Sequence, residues 1–306
     1  MAERRIGRRD AMKSGVALGA AILAGGAQGA ERANTDPTTP VPIPAQVPAR
    51  QDIATLPGTR LEYWDTGGSG QAIVLLHPAT GSTAIWGYQQ PVFARAGYRV
   101  IAYSRRGYGK SDSVPKENPG TAAGDLRNLL NVLGVKKCHL VGSAAGGGVA
   151  IDYALSYGAD LYSVVMSCAV GGVTDPDYAA MIARIRPKGF DEYPVEFREL
   201  SPSYRAANPE GTERWLALEK TAVTSNRFGQ MPANAVTWAN LAKLKTPLLL
   251  IGGDADLYLP PPMLKLYASH VPGAETAIFA EGGHSLYWEQ PALFNRTVLG
   301  FLAKHR

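Results

Sequence analysis

The chain has 306 residues, of which 45% are hydrophobic and 19% charged, as in an ordinary globular protein with enough chain to bury a core. Much of the net charge of +5 lies at the N-terminus, because residues 1–29 hold five basic and two acidic side chains. The remainder shows no basic stripe, which argues against a nucleic-acid-binding protein. We interpret the charged pairs Arg105–Arg106 and Lys136–Lys137 as solvated turn residues.

Residues 1–30 have the layout of a targeting segment. Arg8 and Arg9 precede a weakly apolar run from Val16 to Leu23, and small residues follow up to Ala30. Paired arginines before such a run resemble a twin-arginine export signal, so we expect a periplasmic or extracellular protein after cleavage close to Ala30. The run is shorter than the about 20 apolar residues of a membrane-spanning helix, which disfavours a stable membrane anchor.

Residues 31–51 are rich in Pro and Thr and predict a disordered or extended linker. The pattern then becomes that of an α/β domain. Alternation or short apolar runs predict strands at 59–65, 72–76, 99–103, 138–141, 161–168, 247–251 and 275–279. Helical spacing predicts helices at 121–133, 149–157 and 293–302. Strands that alternate with helices imply a parallel sheet with right-handed crossovers.

Residues 171–239 interrupt this alternation, because helical fragments at 178–185 and 213–221 are separated by Pro and Gly and no strand is convincing. We interpret the segment as a helical cap inserted into a core of residues 52–170 and 240–306. The cap would cover the carboxyl edge of the sheet, where sites of open α/β sheets lie, so some of its aromatic side chains should face a pocket. Three cap arginines could bind a carboxylate: Arg198, Arg205 and Arg227.

A glycine cluster follows the strand predicted at 138–141. A strand that turns sharply into a helix strains the residue at the tip and needs small residues two positions to either side, as in the G-x-S-x-G motif of a nucleophilic serine. Gly142 and Gly146 have this spacing, and the residue midway between them is Ala144. Ser143 lies one position early, where its side chain should point away from a site.

Four more motifs accompany this cluster: HPATGS at 77–82, SRRGYGKS at 104–111, LIGGDAD at 250–256 and GGHS at 282–285. The ordered set resembles the α/β-hydrolase superfamily, in its branch of capped esterases, lactonases and C–C hydrolases, over roughly residues 52–306. The resemblance implies an eight-stranded, mostly parallel sheet flanked by helices, and a Ser-His-Asp site. Three positions depart from the family pattern: Ala144 replaces the nucleophile, Pro78 a glycine of the oxyanion loop, and Ser104 an aspartate.

The resemblance also implies the roles of individual residues. Asp256 would hold the imidazole of His284, with Asp254 as the rival carboxylate. Backbone N–H groups of Ala79 and Ala145 would form the oxyanion hole. Six side chains on or near the site loops are expected to contact the substrate: Thr80, Trp86, Ser143, Cys168, Tyr287 and Trp288. The histidines are too dispersed for a metal site, and no cofactor is implied.

With serine at position 144, we expect hydrolysis of a small or medium, apolar carboxylic ester or lactone through an acyl-enzyme. With alanine there, no acyl-enzyme forms and the chain should be nearly inactive. Because only the nucleophilic oxygen is missing, the pattern favours a deliberate Ser→Ala replacement that traps a ligand. Three alternatives remain open: a naturally non-catalytic ligand-binding or receptor protein, a His-Asp lyase or cofactor-free oxygenase, and Ser143 acting from an unusual elbow.

The two cysteines, Cys138 and Cys168, are predicted at opposite ends of neighbouring parallel strands. This separation exceeds the about 7 Å between Cα atoms that a disulfide tolerates. We therefore expect two free thiols, with Cys168 nearer the pocket.

Overall fold

The computed structural model describes residues 39–169, 172–226 and 230–306. The predicted export signal and the predicted linker up to residue 38 lie outside the described residues. Within the described part of the chain, every helix is too short or too polar to cross a bilayer.

Eight strands of the described chain form one sheet, in the spatial order β1-β2-β4-β3-β5-β6-β7-β8. Their bounds are β1 Arg50–Leu56, β2 Thr59–Asp65, β3 Ala72–Leu76, β4 Arg99–Tyr103, β5 Cys138–Ser143, β6 Leu161–Ser167, β7 Leu248–Gly253 and β8 Glu275–Phe279. The pairs β1–β2 and β2–β4 are antiparallel, and all other neighbours are parallel. This confirms the predicted eight-stranded, mostly parallel sheet.

The sequence analysis missed β1, which pairs along its whole length with β2. Only Ala54 and Leu56 of this edge strand are buried, so its apolar alternation is too weak to predict a strand. Just before β1, residues of the predicted linker lie against the turn at residues 87–89, where the Tyr88 hydroxyl donates to the carbonyl oxygen of Val41 at 2.7 Å. A hydrogen bond from a side chain of the core to its backbone thus helps to hold this stretch to the core.

The α-helices of the described residues alternate with the strands, apart from a group between β6 and β7. They are α1 Gln90–Arg95, α2 Ala122–Val132, α3 Ala145–Tyr157, α4 Pro176–Ile185, α5 Val195–Glu199, α6 Pro202–Ala207, α7 Pro209–Ala222, α8 Trp238–Leu241, α9 Pro261–Ser269, α10 Leu286–Glu289 and α11 Pro291–Leu302. Helices α4 to α8 occupy the predicted cap segment, whose described residues add no strand to the sheet. Its domain boundaries remain a prediction.

The sheet buries two hydrophobic layers, one on each face. Along β3, Val74 and Leu76 pack in the layer that contains α2, α3 and α9, whereas Ile73 and Leu75 pack in the layer that contains α1 and α11. Side chains that alternate between two buried faces give a strand its continuous apolar sequence. Packing on both faces of the sheet thus holds the carboxyl ends of the central strands in place.

Both cysteines are free and buried, as predicted. The interpretation of Arg106 as a solvated turn residue was wrong. Its guanidinium forms a two-pronged ion pair with Asp125, with N–O distances of 2.7 and 2.7 Å, and the two side chains are 4% and 6% exposed. An arginine can be buried when a carboxylate compensates its charge, and no sequence pattern links Arg106 to a partner nineteen residues away.

Candidate functional site

Ala144 occupies the tip of the turn between β5 and α3. Its φ of 47° and ψ of −114° form a strained conformation for a residue with a side chain, and its N–H donates to Ser167 O at 2.8 Å. A Cβ on Gly142 would lie 2.5 Å from the carbonyl group of Gly146, and one on Gly146 would lie 2.0 Å from Leu76 O. The two glycines are therefore required where α3, β5 and β3 meet.

Asp256 and His284 are in direct contact at the ends of β7 and β8. The Nδ1 atom of His284 lies 2.9 and 3.0 Å from the two carboxylate oxygens of Asp256. Oδ1 of Asp256 also accepts the backbone N–H groups of Tyr258 at 2.8 Å and Leu259 at 3.1 Å. The rival carboxylate, Asp254, is exposed. The structure thus brings together the acid and base that the family resemblance implied.

Neighbouring charges set the ionisation of this pair. Burial lowers the pKa of His284, but the negative charges of Asp256 and Glu199, with the hydrogen bond to Asp256, outweigh burial and raise it to about 9. Burial raises the pKa of Asp256, yet the charge and hydrogen bond of His284 bring it below its ordinary value. Both shifts favour an imidazolium next to a carboxylate.

Ala144 and His284 line one cavity of about 550 Å³ beside the cap helices. The predicted oxyanion residues Ala79 and Ala145 line it as well, as do Thr80 and Cys168, which were expected to contact the substrate. Tyr258, which follows β7, also lines the cavity. Loops that follow β3, β5, β6, β7 and β8 thus meet here, as expected for the carboxyl edge of a parallel sheet.

His77 fixes the loop that carries Ala79. Its Nε2 accepts the backbone N–H of Arg105 at 3.0 Å, and its Nδ1–H donates to Pro78 O at 2.7 Å. Burial, and then the charge of Arg105, hold the pKa of His77 well below its usual value, so the ring remains neutral and keeps both contacts. The loop therefore has a defined position next to the elbow.

Three aromatic residues expected at the substrate pack elsewhere. Trp86, Tyr287 and Trp288 are each at most 1% exposed and belong to the hydrophobic layer that contains α1 and α11. The rings of Trp86 and Tyr287 lie 5.0 Å apart, and Trp288 stacks edge-on against Tyr88 at 5.3 Å. Burying these large apolar surfaces against one another leaves none of them on the cavity wall.

Ser143 lies away from the cavity, as the spacing of the elbow predicted, so its place among the expected substrate contacts was wrong. It is the last residue of β5 and 1% exposed, and its Oγ has no hydrogen-bond partner among the described residues. Side chains alternate along a strand, so the neighbour of the tip residue points into the core. A nucleophilic Ser143 therefore does not fit this structure.

The sequence analysis missed several residues of the cavity wall. Glu199, Tyr258 and Arg186 line the cavity together with Arg198, which had been considered as a carboxylate ligand. Arg205 is absent from this wall, and Arg227 lies outside the described residues. A lone glutamate or arginine on a short cap helix normally faces solvent, so no sequence signal distinguished these side chains.

One cluster near the cavity has the donor types of a metal site. The thiol of Cys168, the carboxylate of Asp256 and a ring nitrogen of His284 lie within 4.8 Å of one another. However, the carboxylate and the imidazole bind each other, and burial raises the pKa of Cys168 well above its usual value. A thiol that keeps its proton is a poor metal ligand, so the cluster fits an acid–base dyad better than a metal centre.

Comparison with known proteins agrees with this geometry. The profile of the alpha/beta hydrolase family matches residues 73–297. The chain is 30% identical over 276 residues to a 2-hydroxy-6-oxononadienedioate/2-hydroxy-6-oxononatrienedioate hydrolase of Burkholderia vietnamiensis, covering 80% of this chain and 91% of the relative. It is 26% identical to a 2-hydroxy-6-oxo-6-phenylhexa-2,4-dienoate hydrolase of Comamonas testosteroni, with 79% and 91% covered.

Solved structures show the same fold. A thermophilic esterase from Thermogutta terrifontis has a TM-score of 0.70 at 24% identity, with 84% of this chain and all of that chain covered. The enol-lactonase from Burkholderia xenovorans has a TM-score of 0.68 at 23% identity, with 82% and 100% covered. Together with the sequence matches, these findings show that the chain belongs to the alpha/beta hydrolase family.

Proposed function

We propose that this chain carries the active site of a carboxylic ester or lactone hydrolase of the Ser-His-Asp type, with alanine at the nucleophile position. The observation that carries the proposal is that Ala144, at the strained tip of the elbow, lines the same cavity as His284, which Asp256 holds. Residues with a side chain are rarely held in such a conformation, and strained positions cluster at functional sites. The strain is explained if the elbow presents a reactive side chain.

The mechanism follows from the positions of these groups. In an A144S variant the new hydroxyl would project from the elbow, and His284 would accept its proton as the hydroxyl attacks a carbonyl carbon. The backbone N–H groups of Ala79 and Ala145 would stabilise the oxyanion. Water, activated by the same imidazole, would then release the acid. Because His284 acts in its neutral form, activity should rise as the pH increases towards its pKa of about 9.

The cavity suits a small or medium substrate. Its volume of about 550 Å³ lies in the range of small-molecule pockets. Val195 and Val223 supply apolar wall, whereas Arg186 and Arg198 make the lining more polar than the sequence analysis expected. We infer that the apolar part of the ester or lactone packs against the valines and that a polar group of the substrate lies towards the arginines.

The alanine itself fits a deliberate Ser→Ala replacement, since acid, base, elbow glycines and oxyanion loop are all in place. A naturally non-catalytic ligand-binding protein is the second candidate, and the intact cavity favours it, because a chain without the nucleophilic hydroxyl can hold an ester or lactone without forming an acyl-enzyme. The two candidates differ in what a serine at position 144 would do.

Ala144→Ser is expected to raise hydrolysis of p-nitrophenyl acetate and butyrate by at least about a hundredfold over the alanine chain, since it completes the triad. The measurement is the release of p-nitrophenol between pH 7 and 9, followed by turnover of simple lactones. The double variant A144S/H284Q is the control and should return to the level of the starting chain.

If a correctly folded A144S variant hydrolyses neither esters nor lactones, the proposal is contradicted. The ligand-binding alternative would then stand, together with chemistry that needs only the His-Asp pair.

We also propose that the protein is exported, on the basis of the paired arginines Arg8 and Arg9 before an apolar run. In a bacterial host with this export route, the mature protein should be recovered from the periplasm or medium with an N-terminus close to residue 30. The double substitution R8K/R9K should retain the uncleaved chain in the cytoplasm. N-terminal sequencing of the fractions checks both expectations, and export of the R8K/R9K variant at the original rate would refute the signal.

A further inference from the structure

A second carboxylate, that of Glu199 in the cap segment, shares the cavity with His284. Glu199 is the last residue of α5, is 5% exposed and lines the cavity alongside Tyr258 and Ala144. Asp256 holds the Nδ1 side of the imidazole, which leaves Nε2 as the ring nitrogen available to a ligand. The cavity wall therefore presents an imidazole and a separate carboxylate.

Glu199 is fixed to the loop that carries His284. Its backbone carbonyl accepts the N–H groups of His284 at 2.9 Å and Ser285 at 3.1 Å. Its carboxylate lies 3.4 Å from the Oγ of Ser285, which donates to it, and the Tyr258 hydroxyl also interacts with it. The ring of Tyr258 in turn packs on the imidazole, with centroids 4.3 Å apart. These contacts prevent the carboxylate from moving independently of the imidazole.

The charges of the two groups stabilise each other, because the negative charge of Glu199 raises the pKa of His284 and the positive charge of His284 acts to lower the pKa of Glu199. Burial raises the pKa of Glu199. The charged groups that act on His284 are Asp256, Glu199 and, more weakly, the buried Glu289, whose own pKa burial raises to about 7. The thiol of Cys168, which keeps its proton because burial raises its pKa, lies within 4.8 Å of a ring nitrogen of His284. A carboxylate and an imidazolium that line one pocket and stabilise each other can act as a general base and a general acid.

We propose that His284 and Glu199 act as an acid–base pair that moves a proton at a carbon atom next to a carbonyl group, without any nucleophile at position 144. Glu199 takes the proton from the α-carbon, and the electron pair of the C–H bond becomes the C=C bond of an enol. The carbonyl oxygen receives the proton of His284 Nε2. The products are the enol, a neutral imidazole and a protonated Glu199. After the proton on Glu199 has exchanged with solvent, the reverse step places a solvent-derived hydrogen on the carbon and returns the proton of the enol oxygen to His284. No oxidant, reductant or cofactor enters the balance.

This activity goes beyond the proposed hydrolysis, because it needs no hydroxyl at position 144 and is tested on the chain as it stands. The probe is α-angelica lactone, a small lactone whose C3 hydrogens are activated by the carbonyl group and the ring double bond. In D₂O near neutral pH, the chain is expected to accelerate deuterium uptake at C3 by about a hundredfold over buffer, the range of general acid–base catalysis. Proton NMR of the lactone measures this rate.

Glu199→Gln should reduce the exchange rate to near the buffer rate. Its matched control is Glu196→Gln, which removes a half-buried carboxylate from the same helix that is not part of the cavity wall, and this variant should keep the full rate. Histidine NMR titration supplies a readout that a merely structural role would not move. The pKa of His284, about 9 in the chain, should fall in E199Q and stay unchanged in E196Q.

Glu199→Asp covers the case in which E199Q does not fold. Aspartate keeps the negative charge, but its side chain is shorter by one methylene group. The pKa of His284 should therefore stay raised, whereas the exchange rate should fall at least about tenfold. An unchanged His284 pKa in E199Q would disprove the pairing. If the pKa of His284 falls in E199Q as expected but the starting chain catalyses no exchange, the activity is disproved. Both results are independent of whether A144S hydrolyses esters.

Discussion

Gly146→Ala is expected to destabilise the fold by about 3 kcal/mol or more, because it overpacks a contact between backbones. A Cβ at this position would lie 2.0 Å from Leu76 O and 2.5 Å from the carbonyl carbon of the same residue. Neither atom can rotate away, since both belong to the central strand β3. Either α3 must move off the sheet or the elbow must open, and both changes displace Ala144 from His284.

The matched control for this prediction is Gly148→Ala, two positions further along α3. A Cβ there would meet nothing within 4 Å among the described residues. Alanine should therefore be neutral or stabilise the helix by up to about 1 kcal/mol. Urea unfolding followed by circular dichroism measures both variants. Equal stability of G146A and G148A would show that α3 does not approach β3 as closely as this structure has it.

The strands of the sheet were predictable because their signals are local, whereas the Asp256–His284 contact was implied by the family resemblance. Runs such as Ala72–Leu76 are apolar at every position, which is what burial on two faces requires. The elbow was predictable for a similar reason, since the close approach of three backbones admits only glycine at 142 and 146. The strand signal lies within the strand itself, and the elbow signal is the spacing of its two glycines, although Gly146 approaches the backbone of the distant Leu76.

The cavity wall was less predictable because tertiary packing chooses its members. Trp86, Tyr287 and Trp288 adjoin the site loops in sequence, but their large surfaces gain more from burial in the layer beneath. The error for Glu199 was the opposite one, because it was not expected at the site and yet lines the cavity. Nothing in its helix marks it as buried, and its place beside His284 follows from hydrogen bonds to a loop more than eighty residues away. Sequence spacing carries no information about such contacts.

Asp125→Asn is expected to destabilise the fold by about 3–5 kcal/mol, because it leaves the charge of Arg106 buried without its counter-ion. The guanidinium has a further nitrogen, Nη1, without a partner among the described residues, so it has no alternative acceptor at hand. Asp125 also accepts the side-chain amide of Gln230 at 2.7 Å, which ties the part of the cap segment between α7 and α8 to α2. The loss should therefore loosen the cavity next to the elbow as well.

Two comparisons isolate the buried charge as the cause. Glu275→Gln breaks the pair with Lys304, whose side chains are 43% and 55% exposed, and should cost less than about 1 kcal/mol. The double variant R106M/D125L removes both charges and should recover much of the stability that D125N loses, because no unpaired ion remains. Thermal and urea unfolding measure all three variants. If D125N were no more harmful than E275Q, water would have to reach Arg106, and the segment from 104 to 125 would be more open than the 4% exposure of its arginine indicates.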